Sequence, residues 1–248
     1  RDSITAYQYL SMYSFNTDSY YAFGKTPVSV QSIYETVTAN PLVTWETAKT
    51  WNIGFSSQFL NGKLGLDLDY FQSNRNDILI TRNASIPTYS GLSLPAENLG
   101  KVKNHGFEAI ATYRDSKGDF EWGVTGNVTY AKNEVVYADE AADTPAWQRE
   151  TGHPIDGGTY YKALGIYQTQ EQIESTPHLS GTKIGDLIYQ DTNKDGNITW
   201  DDAVRRDKSA TPKWIFGLTL NGSWKGMDVN AFFQGQADAE ILVQPTMN

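Results

Sequence analysis

The chain lacks cysteine altogether, and it has only three histidines in 248 residues. Without thiols there is no disulfide framework and no thiolate metal centre. His105, His153 and His178 are scattered over polar stretches and lack the i, i+4 spacing of a helical zinc pair, so they point to loop packing and not to catalysis. Basic residues are outnumbered 20 to 29, giving a net charge of −9. That balance argues against nucleic acid, which is gripped by Lys and Arg on its phosphates. No apolar run approaches the roughly 20 residues of a membrane-spanning helix. There is also no phosphate-binding glycine loop with its lysine and no nucleophile elbow, so no catalytic residue is indicated and the chain does not read as an enzyme. A basic-then-apolar leader is missing and the first residue is Arg1, the expectation for a piece of a longer protein.

What is present is alternation. Trp51, Ile53, Phe55, Ser57 and Phe59 share one strand face, with Asn52, Gly54, Ser56 and Gln58 on the other. Asn61-Gly62 follows, a pair suited to a two-residue hairpin because both residues tolerate positive φ. The return strand alternates Leu64, Leu66, Leu68 and Tyr70 against Gly65, Asp67 and Asp69. A second hairpin runs from Phe107–Tyr113 through a turn at Ser116–Asp119 to Trp122–Tyr130. A third runs from Trp214–Trp224 through Lys225-Gly226 to Met227–Gly235. These are about six strands of the length a tilted membrane strand needs, roughly 9–11 residues.

The turns within hairpins are short and the connections between hairpins are long. In membrane barrels short turns face the periplasm and long loops face outside. Trp214 and Trp224 are ten residues apart, so at about 3.3 Å per residue and about 45° tilt they differ by roughly 23 Å in height. That matches an apolar band of about 25 Å edged by aromatic girdles. A mean hydropathy of −0.50 suits such a wall, because half of each strand lines a polar interior. The reading is all-β: a transmembrane antiparallel β-barrel segment with long extracellular loops. Residues 1–46 form an extracellular loop region, and residues 47–248 carry the strands with external loops at 72–105 and 133–212. Both ends fall in or near external loops. Unpaired edges do not persist in hydrocarbon, so further strands must close the barrel.

Several strings carry a family resemblance. Asn40-Pro41-Leu42-Val43-Thr44-Trp45-Glu46, followed by Trp51-Asn52-Ile53-Gly54, resembles the NPxLTWE…WNIG segment of SusC/RagA-type TonB-dependent outer-membrane transporters. Asn98-Leu99-Gly100 through His105-Gly106-Phe107-Glu108 resembles their NxGxVxNxGxE run. Gly152-His153-Pro154, Gly165-Ile166-Tyr167-Gln168, Gly185-Asp186 and Phe232-Phe233-Gln234-Gly235 follow in family order. The resemblance implies a 22-stranded barrel with an N-terminal plug, of which this chain is a C-terminal portion without plug or closing strand. It also implies a SusD-like surface lipoprotein as lid, energy from TonB, glycans or peptides as cargo, and a possible homodimer of transporter–lipoprotein pairs in outer-membrane lipid.

One stretch has metal-binding spacing. In Asp191-Thr192-Asn193-Lys194-Asp195-Gly196-Asn197 through Asp202, the oxygen donors Asp191, Asn193, Asp195, Asn197 and Asp202 stand at positions 1, 3, 5, 7 and 12 of a twelve-residue calcium loop, with Gly196 at the sharp turn. Position 12 is Asp where Glu is usual, and no amphipathic helix precedes, so the expected role is a calcium staple on an external loop. The competing reading is a metal-free turn held by Asx hydrogen bonds. Aromatics in the external segments (Tyr89, Trp147, Tyr160, Tyr161 and Tyr167) are candidates to stack on sugar rings or contact a lid, or to pack loops together. Two other functions suit part of the pattern: a lidless TonB-dependent transporter for iron chelates or vitamins, and a soluble calcium-dependent carbohydrate-binding β-sandwich.

Overall fold

A computed structural model of the chain describes residues 8–23, 28–82 and 94–243. In chain order its elements are β1 (Met12–Phe23), β2 (Val28–Val37), β3 (Thr47–Phe59), β4 (Leu64–Thr81), β5 (Ala96–Lys117) and β6 (Phe120–Tyr137). Then follow β7 (Thr159–Tyr160), β8 (Ala163–Ile166), α1 (Gln170–Ser175), β9 (Leu187–Tyr189), β10 (Val204–Arg205), β11 (Trp214–Trp224) and β12 (Met227–Ala237). No helix among the described residues is long and apolar enough to cross a membrane. The chain divides into two compact units, residues 1–48, 75–101 and 136–143 in one and residues 49–74, 102–135 and 144–248 in the other.

The expected strands form one six-stranded sheet in the order β12-β11-β6-β5-β4-β3, neighbours in sequence lying side by side. In the second unit the register brings the aromatic ends together. Trp214 pairs with Tyr130, and Trp224 with Phe120 on one side and Met227 on the other. At one edge of the apolar band the rings of Phe107, Tyr130 and Trp214 touch, with Tyr130 and Trp214 centroids 4.6 Å apart. At the opposite edge Tyr113 meets Trp122 at 5.4 Å.

Among the described residues nothing packs against the apolar face of this sheet. Ile53 is 67% exposed and Val229 69%, and Phe55, Phe216, Leu218, Leu220 and Phe233 are exposed as well. Among the described residues the buried apolar side chains are Val135, Tyr167, Ile173, Ile198 and Ala203, and only Val135 belongs to the six strands. A sandwich would bury this face against a second sheet; left in water it would be a very large apolar patch. The opposite face is cross-linked by polar pairs: Thr50 Oγ1 donates to Ser73 Oγ at 2.8 Å, Ser56 to Asp67, and Thr112 and Thr125 hydroxyls lie 3.3 Å apart. Lipid outside and water inside is the environment that suits both faces.

Three local features differ from the expectation. The first turn is four residues, Leu60–Lys63, and not a two-residue Asn-Gly hairpin; Leu60, Asn61 and Gly62 all take positive φ. Lys225-Gly226 is the tight two-residue turn expected, at φ 47 and 85. The connection at 72–105 is mostly strand, because β4 runs on to Thr81 and β5 starts at Ala96. Residues 1–46 hold the β1–β2 hairpin, whose strands pair only with each other.

Two asparagines organise the first unit. The Asn40 side chain donates to the Ala96 carbonyl at 2.7 Å and accepts from the Leu42 amide. Asn98 donates to the carbonyls of Thr44 (2.8 Å) and Asp77 (2.7 Å) and accepts from the Thr44 amide. Asp77 has φ 59 within β4, and its carbonyl accepts the Asn98 side chain. In the second unit Gly106 sits where the strands approach closely. A Cβ there would run into the Tyr130 carbonyl oxygen and lie 2.7 Å from the Phe71 ring.

Candidate functional site

The long connection between β6 and β11 folds into small pieces, and within the second unit it carries most of the predicted site residues. Val204–Arg205 of β10 pairs with Thr159–Tyr160 of β7, and β8 pairs with β9. Thr169 caps α1 in a reciprocal capping box with Gln172, and Ile173 is buried beneath it.

The Asp-rich loop is closed by its own amides. Asp191 accepts from the N–H of Lys194 (2.7 Å) and of Gly196 (2.9 Å). Asn193 accepts from Asp195 N–H, and Asp195 from Asn197 N–H. Lys194 and Gly196 take positive φ, which draws the chain into a tight coil. Asp202 is fully buried and accepts from the amides of Thr192, Asn193 and Thr199. Burial works against its charged form, but the amides of Thr199, Asn193 and Thr192 outweigh it and hold the carboxyl below the ordinary aspartate value. Among the described residues no three His, Cys, Asp or Glu side chains converge as a metal-ligand set. Each carboxylate has lone pairs beyond those the amides use, so the loop's oxygens keep capacity for a hard cation.

The candidate aromatics separate by role. Trp147 donates its indole N–H to the Asp201 carbonyl at 2.8 Å, and Gln148 donates to that of Trp200, bracing the 3-10 turn Trp200–Asp202. Tyr161 packs on Tyr189 at 5.1 Å and edge-on against Trp200 at 6.0 Å. Trp200 was not among the residues singled out, yet it is 59% exposed beside that pair. Tyr160 is exposed and lines a cavity of ≈ 460 Å³ with Asp156, Arg206, Ser209, Glu240 and Leu242. Tyr167 is only 1% exposed and donates to the Pro177 carbonyl, so it packs the loop and offers no ring face. Tyr89 lies outside the described residues. These placements bring Trp147, Tyr161 and Trp200 to one place and leave Tyr160 and Tyr167 apart from it.

Where the chain leaves β12 it is tied back to the same connection. Arg206 donates to both oxygens of Glu240, at 2.6 and 3.0 Å. Lys208 and Lys213 both reach Asp238, at 3.0 and 2.9 Å. Hydrogen bonds from Arg206 hold the Glu240 carboxyl below its ordinary value, and those from Lys213 and Lys208 do the same for Asp238. Arg206 and Lys208 stand in the polar connection at 133–212, and their carboxylate partners Glu240 and Asp238 follow β12.

Comparison with known proteins accords with this geometry. A family model described as "TonB dependent receptor-like, beta-barrel" matches residues 6–241. TonB-dependent receptor P3 of Formosa agariphila is 30% identical, covering 97% of this chain and 25% of its own length. TonB-dependent receptor SusC of Bacteroides thetaiotaomicron is 26% identical, covering 90% of this chain and 22% of its own. Among solved structures, the RagAB peptide importer in its open-open state matches with a TM-score of 0.66 over 95% of this chain and 24% of that one, at 19% identity. The chain thus spans about a quarter of the length of the proteins it matches. The family is one of outer-membrane transporters, not enzymes. With its open apolar wall, polar inner face and paired aromatic girdles, the chain belongs to the TonB-dependent receptor-like β-barrel family, and within it is similar to the SusC/RagA type.

Proposed function

We propose that the chain is part of the barrel wall of an active outer-membrane importer, energised through TonB, that takes up glycans or peptides beneath a SusD-like surface lipoprotein. The observation that carries this reading is the two-faced sheet: one face exposed and apolar from Ile53 to Val229, the other laced with polar pairs. Such a wall separates lipid from a wet passage. The strings at 40–54 and 98–108, which resemble the lidded branch, favour a lipoprotein partner over a lidless carrier of iron chelates or vitamins. The external aromatics Trp200 and Tyr160 are of the kind that stack on sugars or pack against peptide side chains.

The test is extraction of the native full-length protein from outer membranes in mild detergent, then size-exclusion chromatography and mass spectrometry of what travels with it. A stoichiometric surface lipoprotein is the expected result, and paired barrel–lipoprotein masses would mark a homodimer. A barrel migrating alone would remove the lid. Calcium has a separate role in this reading: Asp191, Asn193, Asp195, Asn197 and Asp202 would hold it as a staple of the external connection. Protease cleavage at 185–205 should then rise when a chelator replaces calcium, and equal cleavage in both would remove the metal.

A further inference from the structure

The outer edge of the apolar wall carries a charge pattern at odds with the chain as a whole. The net charge is −9, yet three lysines follow the outer aromatics on the lipid-facing side: Lys49 two residues before Trp51, Lys132 two after Tyr130, and Lys103 four before Phe107. Strand register puts them together. Thr50 meets Ser73, the Arg114 amide meets the Lys63 carbonyl, and Thr112 meets Thr125. Carried along the strands, these contacts place Lys49, Asn74, Lys103 and Glu134 side by side across β3, β4, β5 and β6. Lys132 lies diagonal to Lys103, about 7–8 Å away at the Cα level.

The parity that faces these residues outward holds across the strip. Gly106 and Phe71 meet on the opposite, inner face, and Asn133, between Lys132 and Glu134, turns inward to accept the Ile155 amide. Within the second unit the charged groups facing outward on this strip are the three lysines and Glu134, with His105 and the neutral Gln72 and Asn74 between them. Glu134 lies 3.9 Å from Lys132. Lys49 and Lys103 have no ion-pair partner among the described residues. The strip therefore carries two more positive than negative charges. By strand rise and tilt, Lys49 and Lys132 stand about 5 Å beyond the ring on their own strand and Lys103 about 9 Å, the depth of a lipid headgroup layer. Their stems can lie along the apolar wall while the ammonium groups reach the interface.

We propose that Lys49, Lys103 and Lys132 form a binding site for the phosphate of an outer-leaflet glycolipid headgroup. The inference rests on the membrane-wall reading above. It assigns the lysines to lipid, a role distinct from cargo or lid. Each lysine near an anionic headgroup contributes about a fivefold gain in retention.

The test uses the full-length transporter in mild detergent, offered bisphosphorylated lipid A or the same lipid stripped of phosphate, with bound lipid counted by native mass spectrometry. The protein should retain the phosphorylated form at least about tenfold better, and the triple variant Lys49→Gln, Lys103→Gln, Lys132→Gln should lose that preference. Barrel assembly of the variant is checked by the heat-dependent gel shift, and Lys225→Gln at the other girdle serves as a control that keeps the preference. Equal retention of the two lipids by the unaltered protein, or an unchanged preference in an assembled triple variant, overturns the site. Recovery of the unaltered protein in the soluble fraction with neither lipid bound overturns the membrane wall itself, and the site with it.

Discussion

Leu218→Arg tests the lipid-facing wall most directly. Leu218 sits in β11, pairs with Gly126 and Phe233, and is 40% exposed on the apolar face. It is four residues from Trp214 and six from Trp224, so it stands roughly 9 Å inside one girdle and roughly 14 Å inside the other. Arginine near the midplane of a barrel wall costs about 2–4 kcal/mol. At about 1.4 kcal/mol per tenfold, folding into a bilayer should weaken by about 30- to 700-fold. The neighbouring Thr219 faces the interior and pairs with Thr125, so Thr219→Arg should stay within about 0.5 kcal/mol. The assay is urea titration of the full-length barrel refolded in vesicles, scored by its heat-dependent gel shift. Equal losses in the two variants, or none in Leu218→Arg, would refute the assignment of faces.

Other perturbations read single contacts. Gly106→Ala should destabilise the same barrel by about 1–3 kcal/mol, because the new methyl meets backbone at Tyr130 and Ala131; Gly126→Ala, with open space around it, should be near neutral in the same titration. Asn98→Ala removes three hydrogen bonds and leaves the Thr44 and Asp77 carbonyls unpaired, which should cost about 1–3 kcal/mol and raise protease cleavage at 40–46. The ties from Arg206 to Glu240 and from Lys208 and Lys213 to Asp238 depend on carboxylates whose native values lie below their unfolded ones. Their contribution is complete above the unfolded values near 4 and falls away as pH drops through the lower native values. Protection of the 205–213 backbone amides from hydrogen exchange, relative to their intrinsic rates, should therefore fall as pH drops below about 4, whereas protection that is the same from pH 5 down to 2 would assign the ties no role.

The strands were legible where lipid meets one face and water the other, because that contrast imposes a two-residue period on the chain. Trp214–Trp224 and Met227–Ala237 accordingly lie where alternation put them. Beyond Tyr70 and before Phe107 polar residues enter both faces and Ile78-Leu79-Ile80 is an unbroken apolar run, so the period disappears and the continuation of β4 and β5 was invisible. Leu60 at positive φ could not be foreseen either, since its residue type disfavours that conformation. The motif asparagines were recognised by resemblance, but their work of stitching Thr44, Asp77 and Ala96 together depends on contacts between residues as many as 56 positions apart. Among the loop aromatics, composition identified rings but not their burial. Tyr167 and Trp200 look equivalent as letters, and only the folded connection makes one a packing element and the other a surface.

The wall is not of even height. Trp214 and Trp224 stand ten positions apart on β11, and their partners Tyr130 and Phe120 are ten apart on β6, whereas Trp51 and Phe59 on β3 are eight apart. At the same tilt the apolar band shrinks from roughly 23 Å on β11 and β6 to roughly 19 Å on β3. A bilayer meeting the shorter flank must thin by a few ångströms, at a fraction of a kcal/mol per ångström. Two such flanks brought side by side share one pinched zone of lipid in place of two. In a full-length barrel seated in lipid, the membrane itself would then favour neighbours that meet along that flank before any side chain touches.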